Sequence, residues 1–393
     1  MAGPGAYSCV IRHLLRRCSA ASFSVSMSDS DANRGNLRVL HLIPSLGQGG
    51  AEAAMANLIA TYQPGIDHAV TTMIDVPSHF RIAQPIFYGR GRRRQPSPAL
   101  ILQLRQTLRR VRPHILHCWM YHANLLSIAS LGSNVRILWS IHSERPDSLS
   151  NSMTRLVSAT CARLSSIVPD RIAYVAETAR AHHEANGYAA APSVVIPNGI
   201  DMLRFQIPVT PRPESNLLRI GVVARYDPTV KGHHFLIDVL ATHPLRDRFE
   251  IIFAGQGCDT AAQLRDHLAS VGLLDRTRLL GAVTVIEAIY AELDILALPS
   301  RSEALPMTLL EGTAMGLTIC ASRVGDIARL GFPEEALFEP DDAADCARAL
   351  DAAAALAHRP GESLRQRSLV ADKFSISTVA RRYAELYRSL AKI

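Results

Sequence analysis

Lysine is almost missing from this chain. Of 42 basic side chains in 393 residues only Lys231, Lys373 and Lys392 are lysines, and arginine supplies the others. Long apolar runs are missing too. No stretch approaches the roughly 18 residues that a helix needs to cross a bilayer, so no segment reads as membrane-spanning. The seven cysteines (Cys9, Cys18, Cys118, Cys161, Cys258, Cys320 and Cys346) form no Cys-x-x-Cys and have no histidine at zinc spacing. They read as small buried residues or spare thiols of a reducing compartment. No short-period repeat is visible, which excludes solenoids. What remains is 48% apolar and 20% charged, the balance of a folded protein. Its length calls for two cores rather than one.

The ends and halves differ. Residues 1–36 are rich in Ser, Ala and Arg and carry no strong apolar core, so they are expected to be a disordered leader or an over-long start with Met27 as the initiator. Asp29 and Asp31 fall in this segment and read as disordered rather than metal-binding. From 37 to 205 there are 17 arginines against 9 acids, a balance of +8, whereas 206–393 is slightly acidic. The front half is therefore expected to meet an acidic partner or surface.

Apolar runs of strand length alternate with amphipathic stretches. LRVLHLIP (37–44) leads through LGQGG into AEAAMANLIATY, a strand, loop and helix. HAVTTMI (68–74), AQPIFY (83–88), HILHCW, VRILWSIH (135–142), RIAYVAE (171–177) and SVVIP continue the strands. The pattern restarts at LRIGVVARY (218–226), followed by FEIIFAGQG, TRLLGAV, DILALPS, LTICASR and EALFEP. Such alternation means parallel sheets covered on both faces, here two doubly wound α/β domains. The expected boundaries are 37–205, 206–372 with a linker near 205–217, and a last helix over 373–393 that packs back on the first domain.

Ligands of open α/β sheets sit beyond the carboxyl ends of the strands, where this sequence keeps its unusual residues. The loop PSLGQGGAE carries Gly49 and Gly50 at a helix start, where backbone N–H groups can approach a phosphate. It fails as a dinucleotide fingerprint, because Glu52 stands where a third glycine belongs. In VVARYDPTVKG, Arg225 follows a strand and Lys231 precedes a helix, a guanidinium fork and an ammonium suited to a diphosphate. Two solvated cations are the plainer reading, weakened by the scarcity of lysine. In SEALPMTLLEGTAMG, Glu303 and Glu311 are eight apart, with Pro306 fit for a first helical turn and Met307 and Thr308 offering N–H groups. Spacing alone leaves both acids open to being ordinary surface residues.

Together these segments resemble the retaining, nucleotide-sugar-dependent glycosyltransferases of family 4, from about Leu37 to the C-terminus. The most specific elements are SEALPMTLLEGTAMG, the family's Glu-x7-Glu signature, and VVARYDPTVKG; IPNGID, FAGQG and HLIPSLGQGGAE support them. The resemblance implies a GT-B fold, two Rossmann-like domains facing across a cleft. It implies that Arg225 and Lys231 hold the donor diphosphate, that Glu303 contacts the donor sugar and that Glu311 contacts the ribose. Gly49 and Gly50 would close over the diphosphate, with Gly255 of FAGQG, Met307 and Thr308 also on the donor. Ala282 and Val283 would pass beside the base, and His142 of WSIHSE would reach the donor sugar. His142 can equally be a hydrogen-bonded core residue, and His117 and His122 can line an acceptor cleft or simply pack. Ala304 stands where many members have glycine.

The expected activity is retaining transfer of a sugar from a nucleotide-diphosphate sugar to a glycan or lipid-linked acceptor in cell-surface polysaccharide synthesis. Arg225 and Lys231 would take the place of a metal, and no cofactor is expected. A sugar-nucleotide epimerase of the same fold and a non-catalytic sugar-nucleotide-binding partner are the alternatives. Arg90, Arg92, Arg93, Arg94, Arg105, Arg109, Arg110 and Arg112 form either a solvated basic face or an adhesion surface for anionic lipid. No recognition motif accompanies them, so nucleic acid is not an expected partner. The expected location is cytoplasmic, peripheral on the inner face of the cell membrane.

Overall fold

The run Leu37–Ile43 is buried along almost its whole length, which places it inside a sheet covered on both faces. In the computed structural model, which describes residues 35–47, 49–89, 91, 97–146, 152–208, 217–357 and 359–392, this strand (β1) pairs in parallel with β2 (Ile66–Thr72) and β4 (Ile115–Trp119). With β3 (Ile86–Phe87), β5 (Arg136–Ile141), β6 (Arg171–Tyr174) and β7 (Ser193–Val195) it forms a seven-stranded sheet in the order β3-β2-β1-β4-β5-β6-β7. The expected strand over 83–88 shrinks to two half-buried residues, because at the sheet edge only β2 is present to pair with it.

A second sheet repeats the plan. Its strands are β8 (Leu218–Val223), β9 (Phe249–Ala254), β10 (Thr277–Leu280), β11 (Ile295–Leu298), β12 (Thr318–Ser322) and β13 (Leu337–Phe338), in the order β10-β9-β8-β11-β12-β13. In both sheets the winding direction reverses beside the first strand, between β1 and β4 and between β8 and β11. Such a reversal opens a crevice at the carboxyl ends of the two strands. The chain has crossed into the second lobe earlier than the expected boundary at 205. Ile200 and Phe205 are already buried among second-lobe side chains, and Arg367 donates to the carbonyls of Met202 and Phe205. Much of the expected linker, 209–216, lies outside the described residues, as do residues 1–34. Among the described residues no helix is long and apolar enough to cross a membrane. The five described cysteines are buried free thiols.

Helix Glu362–Phe374 packs in the second lobe. Ser375 then caps helix Ile376–Ala391 by accepting from the Thr378 N–H. That last helix lays Val379, Tyr383 and Tyr387 against Val39, Ile115 and Trp119 of the first sheet. Between them lies a stack of rings. Trp119 Nε1 donates to His41 Nδ1 at 3.1 Å, which puts the His41 proton on Nε2 and makes it the donor to His68 Nδ1 at 2.9 Å. His117 Nδ1 meets the Tyr387 hydroxyl at 2.8 Å, and His142 stacks on Trp119 with ring centroids 5.1 Å apart.

Burial disfavours the charged form of each imidazole. It holds His41 and His117 well below the usual histidine range and brings His68 and His142 down to about 4. Their folded pKa values lie below the unfolded one, so between pH 6.5 and 4 the unfolded chain binds protons that the native state refuses. The stability they contribute is complete above pH 6.5 and lost as pH falls. From pH 7.5 to 5.0, His68 and His142 should each cost on the order of 2 kcal/mol. Urea denaturation should therefore show a clearly lower midpoint at pH 5.0, with a smaller drop in His68→Gln. Equal midpoints at the two pH values would refute this account.

Candidate functional site

The second lobe's crevice is built from the loops after β8 and β11. Gly232 is left-handed (φ 68°), and a Cβ there would collide with the Pro299 carbonyl oxygen, so only glycine lets the β8 loop lie against the end of β11. The loops are joined again where the Arg301 N–H donates to the Val230 carbonyl at 2.8 Å and its guanidinium to the Thr229 carbonyl at 3.1 Å. This seats Lys231 over Glu303. Lys231 Nζ lies 2.5 Å from Glu303 Oε1, and Ser300 Oγ donates to the same oxygen at 2.9 Å. The two side chains are 18% and 12% exposed, so the ion pair is screened far less than a surface one.

Arg225 lies two residues beyond β8. Its side chain is 64% exposed and pairs with Asp227 at 3.1 Å. Burial pushes the Asp227 carboxyl up, but donation from Thr229, the Val230 N–H and Arg225 outweighs it and holds the group below the usual range. The two expected diphosphate ligands thus stand on one loop, each held by its own acid rather than closed on one another.

Glu311 is on helix Met307–Ala314, half-buried, where it accepts from the Tyr290 hydroxyl at 2.7 Å. Burial raises its pKa; the Tyr290 hydrogen bond and the nearby Arg204 guanidinium oppose the rise. Met307 and Thr308 begin this helix directly after Pro306, so their N–H groups have no partner within the helix. Across the crevice, Gly49 caps helix Gly50–Ala60 with extended backbone, and a Cβ on Gly50 would come within 4.0 Å of Met307 Cγ. The glycine loop of one lobe and the helix start of the other therefore meet.

The other expected residues divide. Gly255 packs against the Ala224 carbonyl in a conformation (φ 155°) that an L side chain rarely adopts, so it shapes the backbone beside Arg225. Val283 packs on the second core, while Ala282 is exposed. Ala304 turns away from the crevice into the first lobe's core. His117 is fully buried on Tyr387, so it packs, and His122 is half-buried. His142 is both packed and unsatisfied. It stacks on Trp119 beside the Asn198 side chain, yet neither ring nitrogen makes a well-formed hydrogen bond. Arg90 and Arg92–Arg94 lie outside the described residues.

The sequence reading missed the residues that join the lobes. Glu144, two residues past His142, is buried and reaches across to accept from Ser302 Oγ at 2.7 Å, the Glu303 N–H at 2.9 Å and the Gly325 N–H at 3.2 Å. In return Asp326 caps helix Glu177–Ala185, accepting from the N–H groups of Glu177 and Thr178 at 2.8 and 3.1 Å. Asn198 donates to the Leu305 carbonyl at 2.8 Å. The available signal was an acid close behind a strand-end histidine, but nothing local names a partner 158 residues away. Removing the carboxylate of Glu144 strands three donors, so Glu144→Ala should lower stability by about 2–4 kcal/mol. A denaturation midpoint unchanged from the parent would contradict this role.

Residues 42–204 match the family model described as Glycosyltransferase Family 4, and residues 218–355 the model described as Glycosyl transferases group 1. The chain is 30% identical over 223 residues to the lipopolysaccharide core biosynthesis mannosyltransferase LpsB of Rhizobium meliloti, covering 52% of this chain and 63% of that one. It is 27% identical over 208 residues to the GDP-mannose:cellobiosyl-diphosphopolyprenol alpha-mannosyltransferase of Komagataeibacter xylinus, covering 51% and 52%. The chain thus spans between half and two thirds of the length of these two relatives. The fold is similar to that of HepE of Anabaena in complex with UDP, with a TM-score of 0.74 at 20% identity over 90% of this chain and 100% of that one. Two doubly wound lobes, each matched by its own model, make this chain a GT-B protein resembling glycosyltransferase family 4.

Proposed function

We propose that this protein is a retaining glycosyltransferase that moves a sugar from a nucleotide-diphosphate sugar to a glycan or lipid-linked acceptor in cell-surface polysaccharide or lipopolysaccharide synthesis. The observation that carries the reading is the Lys231–Glu303 pair at the second sheet's switch point, beside a helix start that faces Gly50. In this reading Lys231 and Arg225 turn to the donor diphosphate. Glu303 is freed to accept from sugar hydroxyls, and Glu311, oriented by Tyr290, accepts from the ribose. The N–H groups of Met307 and Thr308 and the loop at Gly49 and Gly50 enclose the phosphates. Gly255 keeps the Arg225 loop in place, Ala282 and Val283 border the base, and His142 offers its unsatisfied ring to the sugar.

The bond from the anomeric carbon to the diphosphate breaks as the acceptor oxygen bonds to the same carbon, and the departing diphosphate is the nearest base for the acceptor's proton. Fixed positive charge around that leaving group is the main source of rate. Guanidinium and ammonium supply it, so the reading calls for no metal or cofactor. The names of the curated relatives support a hexose donor and a lipid-linked or lipopolysaccharide acceptor. A basic first lobe suits work at an anionic inner membrane surface.

The test begins with a thermal-shift screen of UDP- and GDP-sugars, since a ligand of the native state raises the midpoint by mass action. Turnover is then measured on the donor that binds. Lys231→Ala and Glu311→Ala should each reduce turnover by about 100-fold or more while leaving the protein folded. Undiminished activity in either variant would overturn the site, and an epimerised donor formed without acceptor would overturn the reaction.

A further inference from the structure

The arginines of the first lobe do not form a single face. Arg110 lies over the Phe87 ring, its guanidinium carbon 5.3 Å from the centroid. Arg105, Arg109 and Arg112 instead join Arg38 around a cavity of about 540 Å³, which Ser133 and Asn134 also line. Among the described residues no acid lines it and none of the four arginines is paired with a carboxylate. Asp67, opposite Arg38 across β1 and β2, is not in the wall.

Two of these guanidiniums are fixed before anything binds. Arg38 Nε donates to the Arg112 carbonyl at 2.9 Å and Arg105 Nε to the Ala129 carbonyl at 3.1 Å, which leaves the terminal nitrogens of both forks to other acceptors. Arg112 itself is left-handed (φ 46°), an uncommon conformation for a side-chain-bearing residue. His114 Nδ1 accepts from the Arg38 N–H at 2.9 Å, so its proton is on Nε2. A plainer account exists for Arg109, which with Arg110 lies in the last turn of helix Pro98–Val111 and complements the negative end of its dipole. That account does not reach Arg38, which comes from another strand, or Arg105, which lies a turn further back.

The cavity is remote from the cleft. Arg38, His114 and Val135 stand at or just before the starts of β1, β4 and β5, whereas the site residues follow strand ends. A seven-residue strand separates the two levels by roughly 20 Å. Four like charges around one hollow repel one another, and a bound polyanion relieves that repulsion. We propose that this cavity is a second anion site, distinct from the donor cleft, which receives a phosphate- or diphosphate-bearing group. Planar guanidinium forks match phosphate oxygens in pairs, and the group can arrive as a free anion or as a lipid headgroup. The inference stands on the cavity and does not require glycosyl transfer.

The experiment titrates the full chain with inorganic pyrophosphate and inorganic phosphate by calorimetry at low salt. It is run in a Lys231→Ala background so that the cleft does not report. Saturable binding that weakens at least tenfold in Arg105→Gln/Arg109→Gln, with the thermal midpoint retained, is the expected result. Vesicles of phosphatidylglycerol, with phosphatidylcholine as control, then identify the source. Capture of the anionic vesicles that pyrophosphate displaces assigns a lipid headgroup, and pyrophosphate binding without vesicle capture assigns a free anion. Pyrophosphate affinity equal in the parent and the double variant would overturn the proposal. So would vesicle binding that pyrophosphate does not compete, since that is diffuse charge rather than a site.

Discussion

One buried carboxylate organises the cleft. Glu144 belongs to the first lobe, but the three groups that donate to it, Ser302 Oγ and the N–H groups of Glu303 and Gly325, belong to the second. Burying a carboxylate is costly unless its oxygens are satisfied, and hydrogen bonds to a charged acceptor contribute about 1.5–3 kcal/mol each. The arrangement therefore holds only while the loop at 302–303 and the turn at Gly325 stay in contact with the first lobe. Asp326 and Asn198 bind the same stretch of chain from neighbouring points. Ala304, in the middle of it, is buried with Leu42, Trp139 and other first-lobe residues. The backbone that presents Glu303 to Lys231 is thus shaped by both lobes, and the crevice is complete only when they meet. Assembly of the site and docking of the lobes are one event.

That dependence explains which parts could be read from the chain. Strand after strand was legible because each is a short apolar run in a sheet covered on both faces, and the restart at Leu218 separated two such series. Lys231 stood out through composition alone. Its pairing with Glu303 was not legible, because the two residues, 72 positions apart, are brought together by a glycine turn against Pro299 and by Arg301 bridging two loops. The sequence marks Arg225 as half of a clamp but gives no sign that Asp227, two residues on, holds it. Glu144 was invisible for a stronger reason. Its partners are backbone N–H groups, which every residue has, so no residue type marks them. The edge strand β3 was overestimated because apolar spacing records burial, and an edge strand is buried on fewer sides.

The ring stack links the end of the chain to the beginning. Tyr383 and Tyr387 come from the last helix, yet they fill the first sheet beside His117 and Trp119. His142 joins the same stack by lying against Trp119. A neutral imidazole suits that position, since burial disfavours the charged ring. The same burial lowers its pKa. Both ring nitrogens of His142 are buried without a partner among the described residues, and buried polar groups are ordinarily hydrogen-bonded, which is what the proposed reading uses when it turns this ring to the donor sugar.

The charge layout follows the same geometry. The first half carries most of the excess positive charge, but the cations of the cleft, Arg225 and Lys231, come from the nearly neutral second half. Four of the first lobe's arginines, Arg38, Arg105, Arg109 and Arg112, gather at the starts of its strands, away from the cleft. Parallel strands make this division possible, because every strand end that carries chemistry points one way and every strand start the other. In the cleft the lysine and the arginine are each paired with an acid, which in the proposed reading a polyanion has to replace. At the opposite end, among the described residues, four guanidiniums have no such acid to displace. Under the two proposals the same group, phosphate, would be read selectively at one end of the sheet and by simple charge at the other.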